Sequence, residues 1–251
     1  MPTRPVPVPA PWLKLDPALD PGALAGPFAA HGRLHIPGLF APGGAERLHQ
    51  SLETSTPWRR STTGETGNLN FYVEAYDAQP EAWKAQLRQV IEARARDGFQ
   101  YLFDSYPVSD ELEEGRRIGL ACEAVYDLFN AEPVLGFLRR LTGEPRIAYV
   151  DAQATRYLPG HFLTEHDDER EGKHRLFAYV LNLTPRWRVD WGGLLLFPDV
   201  DGHVAEGYAP KFNALNIFRV PAPHTVTQVS SFAGAPRYAI TGWIRAKPPW
   251  G

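Results

Sequence analysis

"RIAYVDAQATRYL", Arg146–Leu158, is where the chain changes its period. Upstream of Gly143, apolar residues recur every three or four positions. From Arg146 onward they alternate with polar ones, as a half-buried strand requires. Short β-rich runs follow in "RLFAYVLNLT" (175–184), "GGLLLFPD" (192–199), "NALNIFRV" (213–220) and "RYAITGWIR" (237–245), with Gly, Pro, Asp and Asn between them. Short, evenly punctuated strands of this kind predict a sandwich, jelly roll or barrel.

The part that precedes them reads differently. "EPVLGFLRRLTG" (132–143) has Pro near a helix start and Gly just past its end. "RRIGLACEAVYDLFN" (116–130) predicts a second helix, with Ile118, Ala121, Val125 and Leu128 on one face. Trp83, Leu87, Val90 and Ile91 predict another from Pro80 to about Gly98. A short strand is expected within Gly32–Phe40, a helix over Gly43–Glu53, and a loop leading into a strand over "RRSTTGETGNLNFYVEAY" (59–76). Helices placed before a sheet pack on one of its outer faces, so the expectation is a single α+β domain over 28–251, helix-rich over 28–143 with a β core over 144–247. Residues 1–27, which open "MPTRPVPVPAPW" without the apolar stretch of a secretory signal, are expected to form a proline-rich arm.

Composition narrows the function. The chain has 251 residues, 43% hydrophobic and 22% charged, enough apolar surface for a substantial core. A net charge of −3 gives no basic field for nucleic acid, and no run of residues is long and apolar enough for a membrane span. Cys122 is the single cysteine, which excludes an intramolecular disulfide and a thiolate zinc cluster and suits a reducing cytoplasm.

The densest chemistry lies in "FLTEHDDEREGKHR" (162–175). In an extended segment, side chains at i and i+2 share a face, so His166 and Asp168 would point to one place and Asp167 away from it. Two ligands hold a metal weakly; a third must come from His174, His203 or His224. His224 is best placed, because a β run ends at the Pro-x-Pro turn before it, whereas His203 and His174 stand in charged, exposed turns. Two imidazoles and a carboxylate on one side of a metal leave the opposite positions open, the facial triad of non-haem Fe(II) oxygenases. Downstream, alternation puts Arg237, Ala239, Thr241 and Trp243 on one face of a strand and Tyr238, Ile240 and Ile244 on the other. An inward arginine there suits a bidentate carboxylate anchor. Gln153, Thr155 and Asn182 are further candidates for lining the same pocket, and His161, His31, His35 and His49 read as ordinary packed or surface residues.

In order, "YLPGHFLTEHDD", "WGGLLLFPD", "PAPHTVTQV" and "RYAITGWI" resemble the 2-oxoglutarate- and Fe(II)-dependent oxygenases, specifically the prolyl-hydroxylase-like branch. The resemblance covers about Ala148–Arg245. It implies a double-stranded β-helix, or jelly roll, supported by N-terminal helices. It implies that His166, Asp168 and His224 are Fe(II) ligands, that Arg237 and Tyr157 bind the far carboxylate of 2-oxoglutarate, and that Thr241 and Trp243 lie near that co-substrate. One departure is visible: Arg237 follows His224 by 237 − 224 = 13 residues, more than is usual, so a longer turn is expected between them.

The implied activity is a dioxygenase hydroxylating an unactivated C–H bond, on a prolyl or related amino-acid side chain, with dioxygen consumed and succinate and CO2 released. Its partner would be a peptide, a protein or a free amino acid; the sequence leaves the choice open, along with oligomeric state. "DEREGKHR" and the 59–72 loop are candidate lids. The competing readings are a metal-binding or sensory jelly roll without turnover, and a zinc hydrolase, since two histidines and an aspartate also bind Zn²⁺.

Overall fold

The computed structural model describes residues 7, 8 and 10–250. In chain order its elements begin with α1 (Pro21–His31), β1 (Arg33–Pro37), α2 (Gly44–Thr54), β2 (Arg59–Gly64), β3 (Gly67–Tyr72), α3 (Val73–Asp77) and α4 (Glu81–Asp97). They continue with β4 (Tyr101–Tyr106), α5 (Val108–Glu113), α6 (Glu123–Phe129), α7 (Glu132–Thr142), β5 (Tyr149–Val150), β6 (Gln153–Tyr157) and β7 (Phe162–His166). The last are β8 (Arg175–Asn182), β9 (Leu195–Pro198), β10 (Val204–Tyr208), β11 (Ala214–Arg219), β12 (His224–Val226) and β13 (Arg237–Arg245).

Antiparallel strands run in the order β1-β11-β8-β13-β6-β4-β7-β12-β9-β10. At the two ends of this path, Arg33 of β1 pairs with Glu206 of β10 and His35 stacks on Tyr208, so the sheet curls into a nearly closed barrel. This is the jelly-roll core of the expected α+β class.

Alternation along β13 divides the interior in two. Tyr238, Ile240 and Ile244 face the large core under the helices, with Leu48, Leu52, Val125, Leu138 and Leu141. Ala239 faces the inside of the barrel, with Phe197, Phe218 and Val226. The helices therefore back one face of the sheet and leave the other to form a cavity. α7 ends as its sequence requires, at Gly143 in the left-handed region, and α2 buries Leu48 and Leu52.

Several elements differ from the sequence reading. The helix expected over 116–130 begins only at Glu123: Gly119 takes φ 83°, and Glu123 turns back to accept the amides of Ile118 and Gly119, leaving Ile118 exposed. The 59–76 stretch is a complete hairpin, β2 and β3, followed by α3. The first long β run is broken at Asp151-Ala152 into β5 and β6. β4 was not foreseen, yet it sits inside the sheet, joined to β6 and β7 and carrying the hairpin through β2. Residues 1–6 and 9 of the expected arm lie outside the described residues; further along it, Leu13 is buried in the main core and Asp20 caps α1 through Gly22, because Leu13 and Phe28 are apolar enough to dock.

β4 is fastened by charge. Asp104, fully buried, accepts from Arg60 Nε at 2.6 Å and Arg156 Nη2 at 2.7 Å, the register partners on β2 and β6. Burial opposes its ionisation, but the Arg60 hydrogen bond and the charges of Arg60, His161 and Arg156 prevail and hold its carboxyl below the usual range. A carboxyl depressed in the folded state stabilises above its ordinary pKa of about 4, and that stability is lost as pH falls through the lower folded value. Asp104→Asn should therefore cost about 3–5 kcal/mol in urea denaturation at pH 7, since two arginines stay buried without their partner. The gap from wild type should narrow below about pH 4.

Candidate functional site

His224 opens β12 and His166 ends β7, and the two are direct cross-strand partners. Their rings lie 4.1 Å apart between centroids. His166 Nε2 is 3.5 Å from Asp168 Oδ1, and His224 Nε2 is 3.5 Å from Asp168 Oδ2. These three side chains form the one cluster of potential metal donors among the described residues.

The tautomers follow from the backbone. His166 Nδ1 sits 3.0 Å from the Thr164 carbonyl oxygen and His224 Nδ1 2.8 Å from that of Ala222. A carbonyl only accepts, so each Nδ1 carries the proton and each Nε2 offers its lone pair to the shared point. Burial, with the charge of His166, pushes the His224 imidazole down to about 4, so it is neutral at pH 7. Burial works against the Asp168 carboxylate, but its neighbours His166, His224 and Arg175 keep it below the usual range. Two imidazole nitrogens and one carboxylate are the donor set that a divalent iron takes.

The reason these groups meet is not the one strand parity suggests. β7 ends at His166, so alternation does not extend to Asp168. Asp168 instead takes φ 65°, a left-handed turn that swings its carboxylate back beside the imidazole, at a cost of about 1–3 kcal/mol for a residue with a side chain. Asp167 remains exposed, and its carboxylate accepts the Glu169 amide.

The triad opens into a cavity of about 430 Å³, which Tyr157, Arg237, Thr241 and Trp243 also line, along with Gln153 and Thr155. Arg237 is 1% exposed. Its Nη2 reaches Asn182 Oδ1 only at 3.5 Å, its Nε has no partner, and it makes no ion pair among the described residues. Burial pulls its guanidinium below the ordinary value, with the Tyr157 ring 5.1 Å beneath it as its neighbour. Thus the cavity holds three metal-type donors in one region and an unneutralised cation in another.

The Gly-Gly pair explains how Arg237 fits. Gly192 and Gly193 take φ 67° and 61°, and a side chain on Gly193 would press within 3.0 Å of Arg237 Cδ. The longer connection from β12 to β13 passes beside this pair, bridging Val229 to Gly192 before β13 begins at Arg237. His203 and His174 are exposed and outside the cluster, and His161 is buried behind it.

Two features were not anticipated from sequence. Phe99, Tyr101 and Phe103 form an aromatic stair with centroid steps of 5.8 and 5.0 Å, continuing 5.2 Å to Tyr157. Phe99 is 53% exposed at the mouth, 5.6 Å from the His166 ring. The alternation in "FQYLF" carries that signal. Arg175, at the start of β8, lays its guanidinium 3.4 Å over the Trp243 ring and donates to the Asp168 carbonyl oxygen at 2.8 Å. Only the three-dimensional pairing of β8 with β13 brings Arg175 and Trp243 together.

The sequence model of the 2OG-Fe(II) oxygenase superfamily matches residues 152–245. Prolyl 3-hydroxylase OGFOD1 of Mus musculus is 32% identical over 120 residues, 45% of this chain, and the chain spans 22% of that relative's length. A prolyl-4-hydroxylase from Pseudomonas putida shares the fold with a TM-score of 0.56 at 19% identity, over 91% of this chain and 100% of that one. A prolyl hydroxylase from Trichoplax adhaerens, in complex with a hypoxia inducible factor oxygen degradation domain peptide fragment, gives 0.59 at 17% identity, over 90% and 89%. Residues 152–245 are thus similar in sequence to the 2OG-Fe(II) oxygenase superfamily, and the jelly roll as a whole shares its fold with two prolyl hydroxylases.

Proposed function

We propose that this domain hydroxylates an unactivated C–H bond of a prolyl or related amino-acid side chain, consuming dioxygen and 2-oxoglutarate and releasing succinate and CO2. His166, Asp168 and His224 hold Fe(II). Arg237 binds the far carboxylate of 2-oxoglutarate, and the Tyr157 hydroxyl assists; Thr241 and Trp243 flank the co-substrate. The observation that carries this reading is Arg237: a cation buried without a counter-ion, in the cavity that also holds the three donors, calls for an anionic ligand. A zinc hydrolase has no use for a carboxylate anchor at that depth.

Bound iron supplies the oxidising power that no side chain has. The chain's own residues bind, orient and exclude water. Thr164 and Ala222 fix the two imidazoles through Nδ1. Phe103, Val226 and Phe218 make the walls apolar, which strengthens the Arg237 contact with a carboxylate. A prolyl substrate is supported by the names of the relatives, and a peptide or protein by the complex of the Trichoplax enzyme. The 28–251 region acts as one oxygenase domain, supported by a main core that runs to Ile244 and that Leu13 of the preceding segment also joins. A cytoplasmic setting is supported by the sole cysteine, Cys122, being a buried free thiol; no helix among the described residues is long and apolar enough to cross a membrane.

Mixed without oxygen, Fe(II), 2-oxoglutarate and the protein should give a weak visible charge-transfer band. His166→Ala and Asp168→Ala should abolish both metal binding and the band. A wild type that binds Fe(II) tightly yet shows no band would overturn the oxygenase reading. Arg237→Ala should retain Fe(II) while raising the 2-oxoglutarate concentration for half-saturation about 10- to 100-fold, the worth of a charge-assisted contact of about 1.5–3 kcal/mol. A screen of proline-containing peptides and free amino acids, read as substrate-dependent succinate together with a mass gain of one oxygen, should identify the acceptor; turnover confined to compounds without a prolyl-like ring would sink the substrate assignment.

A further inference from the structure

We infer that Arg175 is a positioning residue for the metal centre: clamped against the face of Trp243, it holds the Asp168 turn in the one conformation that aims the carboxylate at the two imidazoles. The inference rests on the proposal that His166, Asp168 and His224 bind a metal.

Asp168 stands past the end of β7, where no ladder hydrogen bond fixes it. Its φ of 65° lies in the left-handed region, which aspartate visits more readily than most residues with a side chain but still at a cost, so a contact that holds the turn favours it. Among the described residues, one hydrogen bond reaches the Asp168 main chain, the 2.8 Å contact from Arg175 Nη1 to its carbonyl oxygen. The nearby Glu169 amide is occupied by the Asp167 carboxylate and closes a separate small turn.

A guanidinium on a flexible stem is a poor clamp unless it is itself held. Among the described residues Arg175 makes no ion pair, and its Nε has no partner. What fixes it is the indole of Trp243, 3.4 Å from guanidinium carbon to ring centroid, with the two planar groups in contact. Trp243 is fastened in turn: its amide donates to Asp151 Oδ1 at 2.6 Å, and Asp151 pairs with Arg245 two residues further along β13. A line of contacts thus runs from the rigid centre of the sheet through Trp243 and Arg175 to Asp168. The strand that carries the proposed co-substrate anchor Arg237 at its beginning supports the aspartate through a residue six positions later.

The arrangement separates the tasks of two side chains. Asp168 supplies the oxygen, and Arg175 decides where that oxygen sits. It also gives Trp243 a task distinct from flanking the co-substrate.

The test is a titration of metal-stripped protein with Co(II), read by the visible d–d absorption, which reports both affinity and ligand geometry. Arg175→Ala should bind Co(II) about 10- to 100-fold more weakly, the usual effect of removing a group that orients a ligand, with an altered band shape. The thermal midpoint of the metal-free protein should be close to that of wild type. Trp243→Leu should show the same defect and Trp243→Phe should recover wild-type affinity, because a flat ring is what the clamp needs. Arg175→Ala combined with Trp243→Leu should be no worse than either alone, as two parts of one device. Wild-type affinity and band shape in Arg175→Ala, or equal defects in Trp243→Leu and Trp243→Phe, would overturn the inference. Should Arg175→Ala fail to fold, the two Trp243 variants decide it. A wild type that binds no Co(II) at all would instead remove the metal reading, and this inference with it.

Discussion

Everything in the cavity depends on the pairing of β12 with β7, which sets His224 directly across from His166. That register sits in the middle of a long antiparallel path, so it is held by neighbours on both sides: β4 against β7 and β9 against β12. A slip of β12 by one residue would turn His224 to the opposite face and separate it from His166. The Thr225 hydroxyl, bonded to the Leu163 carbonyl oxygen at 2.7 Å, adds a side-chain lock between the same two strands. Metal binding at this site would therefore depend on barrel closure as much as on the identity of the three donors.

The second constraint is the charge of Arg237. A guanidinium removed from water without a partner costs several kcal/mol, a tax on stability that folding alone does not return. An anionic ligand of the kind proposed above would offset that cost when bound. The flanking architecture is arranged to tolerate it meanwhile: the Tyr157 ring lies beneath it, Asn182 offers a distant oxygen, and Gly193 makes room for its stem. Binding energy from that carboxylate would be available to order the cavity before any substrate arrives.

Much of this was legible in the sequence because strand alternation is a strict code. The two faces of β13 were assigned correctly from period two alone: Arg237, Thr241 and Trp243 line the cavity, and Tyr238, Ile240 and Ile244 enter the helix-side core. His224 at a strand start was also readable, from the Pro-x-Pro turn before it. The His166–Asp168 pair illustrates a right neighbourhood for the wrong reason. Alternation predicted a shared face, whereas a left-handed turn brings the two together, and a φ value at a non-glycine residue leaves no mark in sequence. β4 was missed because "QYLFDSY" carries Asp104 at a position where a buried strand would be expected to be apolar. The two arginines that neutralise it come from positions 60 and 156, too far along the chain for local pattern to reveal.

That same Asp104 network makes the N-terminal half part of the site. β4 is held by Arg60 from β2 and Arg156 from β6, and it is β4 that presents Tyr101 and Phe103, with Phe99 just before it, to the cavity wall. The hairpin of β2 and β3 extends from the other side of β4 and brings Asn68 to the same wall. The matched β core thus supplies the triad, the arginine and most of the cavity lining, while Asn68, Phe99, Tyr101 and Phe103 complete it from outside. In this chain that part of the wall is aromatic, exposed at Phe99, and anchored to the core by a buried carboxylate between two arginines, so a ligand entering the cavity would meet a surface whose shape depends on the Asp104 network.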